Sequence, residues 1–159
     1  MKKIFSLLSV FVLTIIFITG FSSPASAASK PVSYTQTLKY GKYYESHKYD
    51  AARVMPGYAP MTVNTAFTVN QYGVTITDVS QKSTAYWPYS VSNNKTKVVT
   101  KTSRGGNEVA KTYGDFTARY YILKTPVYTT GYRLQTNIQV LKIDKTKKTV
   151  TVKITKTVN

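Results

Sequence analysis

The stretch Thr149-Val150-Thr151-Val152-Lys153-Ile154-Thr155 decides the fold. Val150, Val152 and Ile154 share one parity, while Thr149, Thr151, Lys153 and Thr155 share the other. Side chains alternate across a β-strand, so this segment carries one apolar and one polar face. The strand before it is less regular. Ile138 and Val140 have one parity, Leu141 and Ile143 the other. Either both faces are buried there or a bulge shifts the register. Between the two strands, Asp144 to Lys148 reads as a polar hairpin loop, with Asp144 placed to hydrogen-bond the turn backbone.

The same rhythm extends toward the N-terminus. Val63, Thr65, Phe67 and Val69 alternate, Asn70 to Gly73 turns the chain, and Val74 and Ile76 return. Tyr86 to Val91 reads as a short aromatic strand interrupted by Pro88, hence an edge strand or a bulge, because proline cannot donate to a ladder. Asn93-Asn94 predicts another turn. Lys95 to Thr102 leads into Gly105-Gly106, a two-residue hairpin loop whose register sets Val98 opposite Tyr113 and Lys101 opposite Ala110. Gly114-Asp115 is expected to separate that arm from a strand over Phe116 to Lys124, ended by Pro126. Thr130-Gly131 precedes the longest strand, Tyr132 to Ile143.

Composition agrees. From residue 28 onward the chain holds 22 Thr, 15 Val and 5 Ile but only four Leu. Branching at Cβ suits a pleated surface and disfavours helix, and no stretch of a dozen residues shows a 3.6-residue apolar stripe. The expected fold is all-β: a single antiparallel β-sandwich or partly open barrel of about seven to nine short strands.

Residues 1–27 read as a cleaved secretory signal peptide. Lys2 and Lys3 form a basic start, Ile4 to Thr19 is an uncharged apolar run, and Ala25-Ser26-Ala27 fits a small-x-small cleavage site. The alternative is an uncleaved anchor, but about 16 residues is short of the roughly 20 that a helical span needs. Residues 28–32 are expected to form a flexible leader and 33–159 the single all-β domain. The 159 residues include no Cys, so there is no disulfide, no thiol nucleophile, no Cys-ligated metal and no thiol for lipoprotein acylation. An exported domain without disulfides points to a bacterium.

The chain has 22 Lys plus Arg against 6 Asp plus Glu, a net charge of +16. Removal of residues 1–27 takes two lysines and no acid, which leaves +14 on 132 residues. Outward lysines protect sheet edges and keep strands soluble, but they do not explain so few acids. A positive potential over the folded surface attracts polyanions. Wall phosphate polymers and anionic lipid head groups are the expected partners, and nucleic acid would bind without sequence specificity. Asn94-Lys95-Thr96 matches a glycosylation sequon, relevant only in a eukaryotic exporter.

Catalytic signals are weak. His47 is the single imidazole and lies in Tyr43-Tyr44-Glu45-Ser46-His47-Lys48-Tyr49-Asp50. On a strand Ser46 and His47 point apart, and no Gly-x-Ser-x-Gly elbow occurs, so His47 is expected on a polar surface loop or edge strand. Asp115 and Asp144 fall in expected turns, Glu108 beside the glycine loop, and nothing brings Glu45, Asp50 and Asp78 together as a glycosidase pair. The acid-poor chain also lacks the oxygen clusters of calcium sites. No catalytic residue, metal or cofactor is expected.

Two aromatic and basic clusters remain. In one, Tyr34, Tyr40, Tyr43, Tyr44, Tyr49 and Tyr58 lie among Lys39, Lys42, His47, Lys48 and Arg53; Tyr86-Trp87-Pro88-Tyr89 forms the other. Aromatic faces stack on sugars and bases while neighbouring cations hold anions, although Tyr also serves as strand packing in place of Phe and Leu. Of these, Tyr43, Tyr44, His47, Lys48, Arg53, Tyr86, Trp87 and Tyr89 are the candidate ligand site of a secreted, basic, non-enzymatic binding protein retained at the cell wall. The alternatives are an antimicrobial or toxin-like protein acting on anionic membranes, disfavoured because no amphipathic helix or apolar hairpin is evident; an inhibitor or protein-binding module presenting Arg104-Gly105-Gly106-Asn107; and a small hydrolase.

Overall fold

A computed structural model describes residues 29–53 and 57–159; the export segment expected over 1–27 lies outside the described residues. The described chain is all-β. Its strands are β1 Ser29–Lys39, β2 Gly41–Asp50, β3 Pro60–Asn70, β4 Gly73–Ser83, β5 Tyr89–Thr100, β6 Thr102–Ser103, β7 Val109–Ile122, β8 Thr125–Asp144 and β9 Thr149–Val158, with one 3-10 turn at Ala51–Arg53. They form two antiparallel sheets, ordered β1-β9-β8-β7-β5 and β2-β3-β4-β6. The sheets face each other across a shared core: Met61 and Val63 of β3 pack with Phe116 of β7 and Leu134 of β8.

The alternation read from the C-terminal stretch holds, with Val150, Val152 and Ile154 fully buried. The mixed parity on β8 resolves as a bulge. Val140 pairs with Val152 and Lys142 with Thr151, so Leu141 is the extra residue and points outward. Asp144 accepts a hydrogen bond from Lys147 N at 2.9 Å, as the loop chemistry predicts. The Asn70–Gly73 turn also holds, joining β3 to β4.

Several expectations are corrected. The leader expected over 28–32 is strand from Ser29 onward, because β1 pairs along β9 from Ser29↔Val158 to Lys39↔Thr149. Asn93-Asn94 does not turn the chain; Asn94 is a bulge inside β5. Gly114-Asp115 does not break β7, which runs through to Ile122, and Pro126 lies inside β8 rather than ending a strand. Asp115 instead takes a bidentate bond from Arg133 on the neighbouring strand, at 2.7 and 2.9 Å. The largest departure is at Gly105-Gly106. Val98 pairs with Thr112, not Tyr113, and the chain then leaves the five-stranded sheet so that β6 pairs with β4. Buried Ser103 holds this crossing: its hydroxyl donates to Glu108 O at 2.7 Å and accepts from Val140 N at 2.9 Å. A buried hydroxyl needs such partners, and β8 supplies one from the opposite sheet.

A row of polar side chains divides the core in two. On one sheet Lys156, Thr136 and Thr112 are cross-strand neighbours; facing them, Glu45 pairs with Thr65. Lys156 forms an ion pair with Glu45, and the Thr65 and Thr112 hydroxyls lie 2.8 Å apart. One apolar cluster lies on each side of the row: Met61, Phe116 and Leu134 in one, Phe67, Ile138 and Ile154 in the other.

Close approach of the sheets explains Gly114. A Cβ there would sit 2.5 Å from Val63 Cγ2, whereas one at Gly131 meets only the Phe116 carbonyl at 4.0 Å. Gly114→Ala is expected to lower unfolding stability by about 2 kcal/mol through overpacking, and Gly131→Ala to change it by less than about 0.5 kcal/mol. Urea unfolding of both variants checks the contrast.

Candidate functional site

Strand alternation splits the eight candidate residues. Odd-numbered residues of β2 face the core, and even-numbered ones face solvent. Tyr43 therefore turns inward, stacks on Phe67 at 5.8 Å between ring centroids, and donates its hydroxyl to Lys39 O. Tyr44 and Lys48 are exposed. Tyr89 is 7 % exposed and packs edge-on against Tyr120. Tyr86 and Trp87 are exposed in the connection before β5. Arg53 ends the 3-10 turn, and its side chain lies outside what is described. Tyr43 and Tyr89 thus take the packing role, while Tyr44, Lys48, Tyr86 and Trp87 are available to a ligand.

His47 is the main correction. It does lie on an edge strand, since β2 borders its sheet, but it is 5 % exposed rather than on the surface. Burial and then the Lys156 ammonium lower its pKa from 6.5 to about 4; a hydrogen bond with the Gln135 backbone and the Glu45 charge oppose this without offsetting it. The imidazole is neutral near pH 7 and unavailable to an external anion. Ser46, as expected, faces the other way and donates to Asn64 Oδ1 at 2.7 Å. Beside His47, Lys156 also donates to Ser46 O at 2.7 Å. Burial, then a hydrogen bond to Glu45, pushes the Tyr34 hydroxyl pKa up. These groups form an internal structural knot. Among the described residues there is no group of three or more His, Asp or Glu arranged to hold a metal.

The outer face of the four-stranded sheet joins Lys48 and Tyr58 to residues that the sequence reading did not single out. A groove of about 440 Å³ is lined by Ser46, Lys48, Tyr58, Thr62, Asn64 and Lys82, with Pro60, Ser83 and Thr84 completing it. Lys48 pairs with Thr62, and Thr62 with Lys82, so two lysines flank one threonine in a single cross-strand row. Two interstrand spacings put them about 10 Å apart. The two ion pairs among the described residues, Arg133–Asp115 and Lys156–Glu45, engage neither lysine. Tyr58 closes one end, its ring 5.4 Å from Tyr86, and Trp87 follows in the chain. Tyr58 joins the site through its carbonyl, which accepts from Tyr86 N at 3.1 Å, and Thr62, Asn64 and Lys82 join it through strand pairing. The parity of these three marks them as outward, but a bulge at Thr77 hides which β4 residue meets Thr62.

The Arg104–Asn107 loop is tied down, because Glu108 Oε2 accepts from Arg104 N at 3.0 Å and Gln139 donates to Gly106 O at 2.9 Å. A hairpin absent from the sequence expectation joins β7 to β8 at Ile122 to Thr125, with Ile122 and Leu123 exposed beside Lys124. Reading Pro126 as a strand end concealed it.

The His47 environment has a pH consequence. Unfolded, the ring takes up a proton near pH 6.5; folded, only near pH 4. The unfolded state binds more protons between those values, so stability falls as pH drops through that window and levels off below it. The loss is expected to reach at most about 3 kcal/mol. Urea unfolding at about pH 7.5 and about pH 4 measures it, and His47→Gln is expected to remove this component while leaving the part due to carboxylates. Comparisons with protein-family models, curated proteins and solved structures give no match to this chain.

Proposed function

We propose that the protein is a secreted, non-enzymatic binding protein that holds anionic polymers of the bacterial cell envelope along the outer face of its four-stranded sheet. Residues 1–27 act as the cleaved export signal in this reading. The observation that carries it is the groove in which Lys48 and Lys82 flank Thr62. Two lysines on strand positions about 10 Å apart, neither of them in an ion pair, suit successive charges on a polymer better than one small anion. The groove floor offers hydroxyl and amide groups from Ser46, Thr62, Asn64 and Thr84, which match sugar hydroxyls. Tyr58, backed by Tyr86, supplies a ring face for stacking at one end. The net charge of +14 left after removal of residues 1–27 adds long-range attraction toward a phosphate-bearing wall.

Retention on isolated cell walls and on phosphate-stripped walls tests the reading. Strong retention on intact walls at low salt, falling steeply as salt rises, is expected. Lys48→Gln combined with Lys82→Gln is expected to weaken it about tenfold, at up to about 1 kcal/mol per exposed charge contact. Equal, salt-insensitive retention on stripped walls would sink the proposal.

A further inference from the structure

One end of the sandwich carries an overhang. Pairing of β9 with β8 ends at Leu134↔Val158, and pairing of β5 with β7 ends at Tyr89↔Tyr120. Tyr121 N reaches back to Pro88 O at 2.8 Å. Beyond that point residues 122–127 project as a two-stranded tip, held by Tyr121↔Pro126 and Ile122↔Thr125.

The tip is apolar where turn chemistry favours polar residues. Leu123 and Lys124 hold φ values of 47° and 70°, a left-handed region that Asn and Gly enter most easily. Leu123 is 88 % exposed, so packing within the chain does not account for leucine there. Ile122 is exposed beside it, and a bulge turns Val127 outward at the same apex. At the base stand Trp87, 76 % exposed, and the Tyr58–Tyr86 pair. Lys124 shares the turn, and Lys48, Lys82 and Arg119 lie on the strands behind it. The acid at the corresponding strand end is Asp50, whose carboxylate already accepts from Ala52 N and Ala59 N.

This order of groups matches a lipid surface. Aliphatic side chains favour the acyl boundary, Trp and Tyr favour the headgroup level, and lysine heads reach lipid phosphates. We propose that the β7–β8 tip inserts Ile122 and Leu123 shallowly into an anionic bilayer, with Trp87 at the interface and Lys124 on a lipid phosphate. This goes beyond polymer binding, because the tip and the groove lie on different strands and either can fail alone.

Trp87 is the only tryptophan, so its emission reports the event directly. Vesicles of phosphatidylglycerol with phosphatidylcholine are expected to shift it to the blue and to co-sediment the protein; phosphatidylcholine alone is expected to do so weakly. Leu123→Asp is expected to cut vesicle affinity by about tenfold or more and abolish the shift, from the loss of one buried aliphatic side chain. Thermal melting and wall retention should stay unchanged, since Leu123 supports neither core nor groove. Lys124→Gln is expected to weaken binding about fivefold. The chain is used in the form without residues 1–27, so vesicle binding reports the folded domain alone. Absence of an emission shift with both vesicles would overturn the proposal, as would undiminished binding by Leu123→Asp. Capture of a protein partner through the tip with vesicles left unbound would overturn it too.

Discussion

The polar row linking Glu45–Lys156 and Thr65–Thr112 sets how the two sheets face each other. Apolar faces tolerate sliding, because one aliphatic contact replaces another at little cost. Buried polar groups do not, because a displaced hydroxyl or charge loses its partner and keeps its desolvation penalty. The Lys156 and Glu45 side chains keep 18 % and 13 % of their exposure, so removing one member costs less than the ~3–5 kcal/mol of a fully buried pair, even where the intact pair stabilises little over a hydrophobic replacement. The row therefore adds more to alignment than to overall stability. Its place between two apolar clusters means that a slip of either sheet would move polar groups into hydrocarbon.

That alignment positions both surfaces discussed above. With odd-numbered β2 residues committed inward by Glu45 and His47, the even-numbered Tyr44, Ser46 and Lys48 must face solvent. The antiparallel pairing of β2, β3 and β4 then brings Lys48 and Lys82 to either side of Thr62. At the same end, the polypeptide of β7 and β8 outruns its neighbours and presents the Leu123 apex. One end of the molecule thus combines cations, tyrosines and an aliphatic tip, while the imidazole is buried and Tyr34 and Lys156, both neighbours of Glu45, are half-buried between the sheets.

Much of the fold was legible. Alternation in β3 and β9, the Asn70–Gly73 turn and the Asp144 loop depend on neighbours within a few residues, so parity and turn chemistry suffice to read them. Bulges were harder. Leu141 announced itself by switching parity, but Asn94 and Thr77 sit in polar stretches where an extra residue leaves no hydrophobic trace. The Gly105-Gly106 segment misled because its composition fits a hairpin, while the buried Ser103 hydroxyl bonds to Val140 N of β8 and to Glu108 O. The candidate site was half legible. Tyr44, Lys48, Tyr86 and Trp87 are exposed as a ligand site requires, whereas Tyr43, His47 and Tyr89 were drawn inward by strand parity and packing.

The sequence by itself determined the all-β class, the basic balance and the absence of disulfides, because these follow from side-chain branching, charge and residue type. Only the tertiary structure decided which tyrosines are wet, that the single histidine is buried and neutral, and that Lys48 and Lys82 share one row. The physical reason is that exposure depends on which strand lies opposite. That choice was made by long-range pairing and by the buried polar contacts between sheets, whose partners are as far apart in the chain as Glu45 and Lys156.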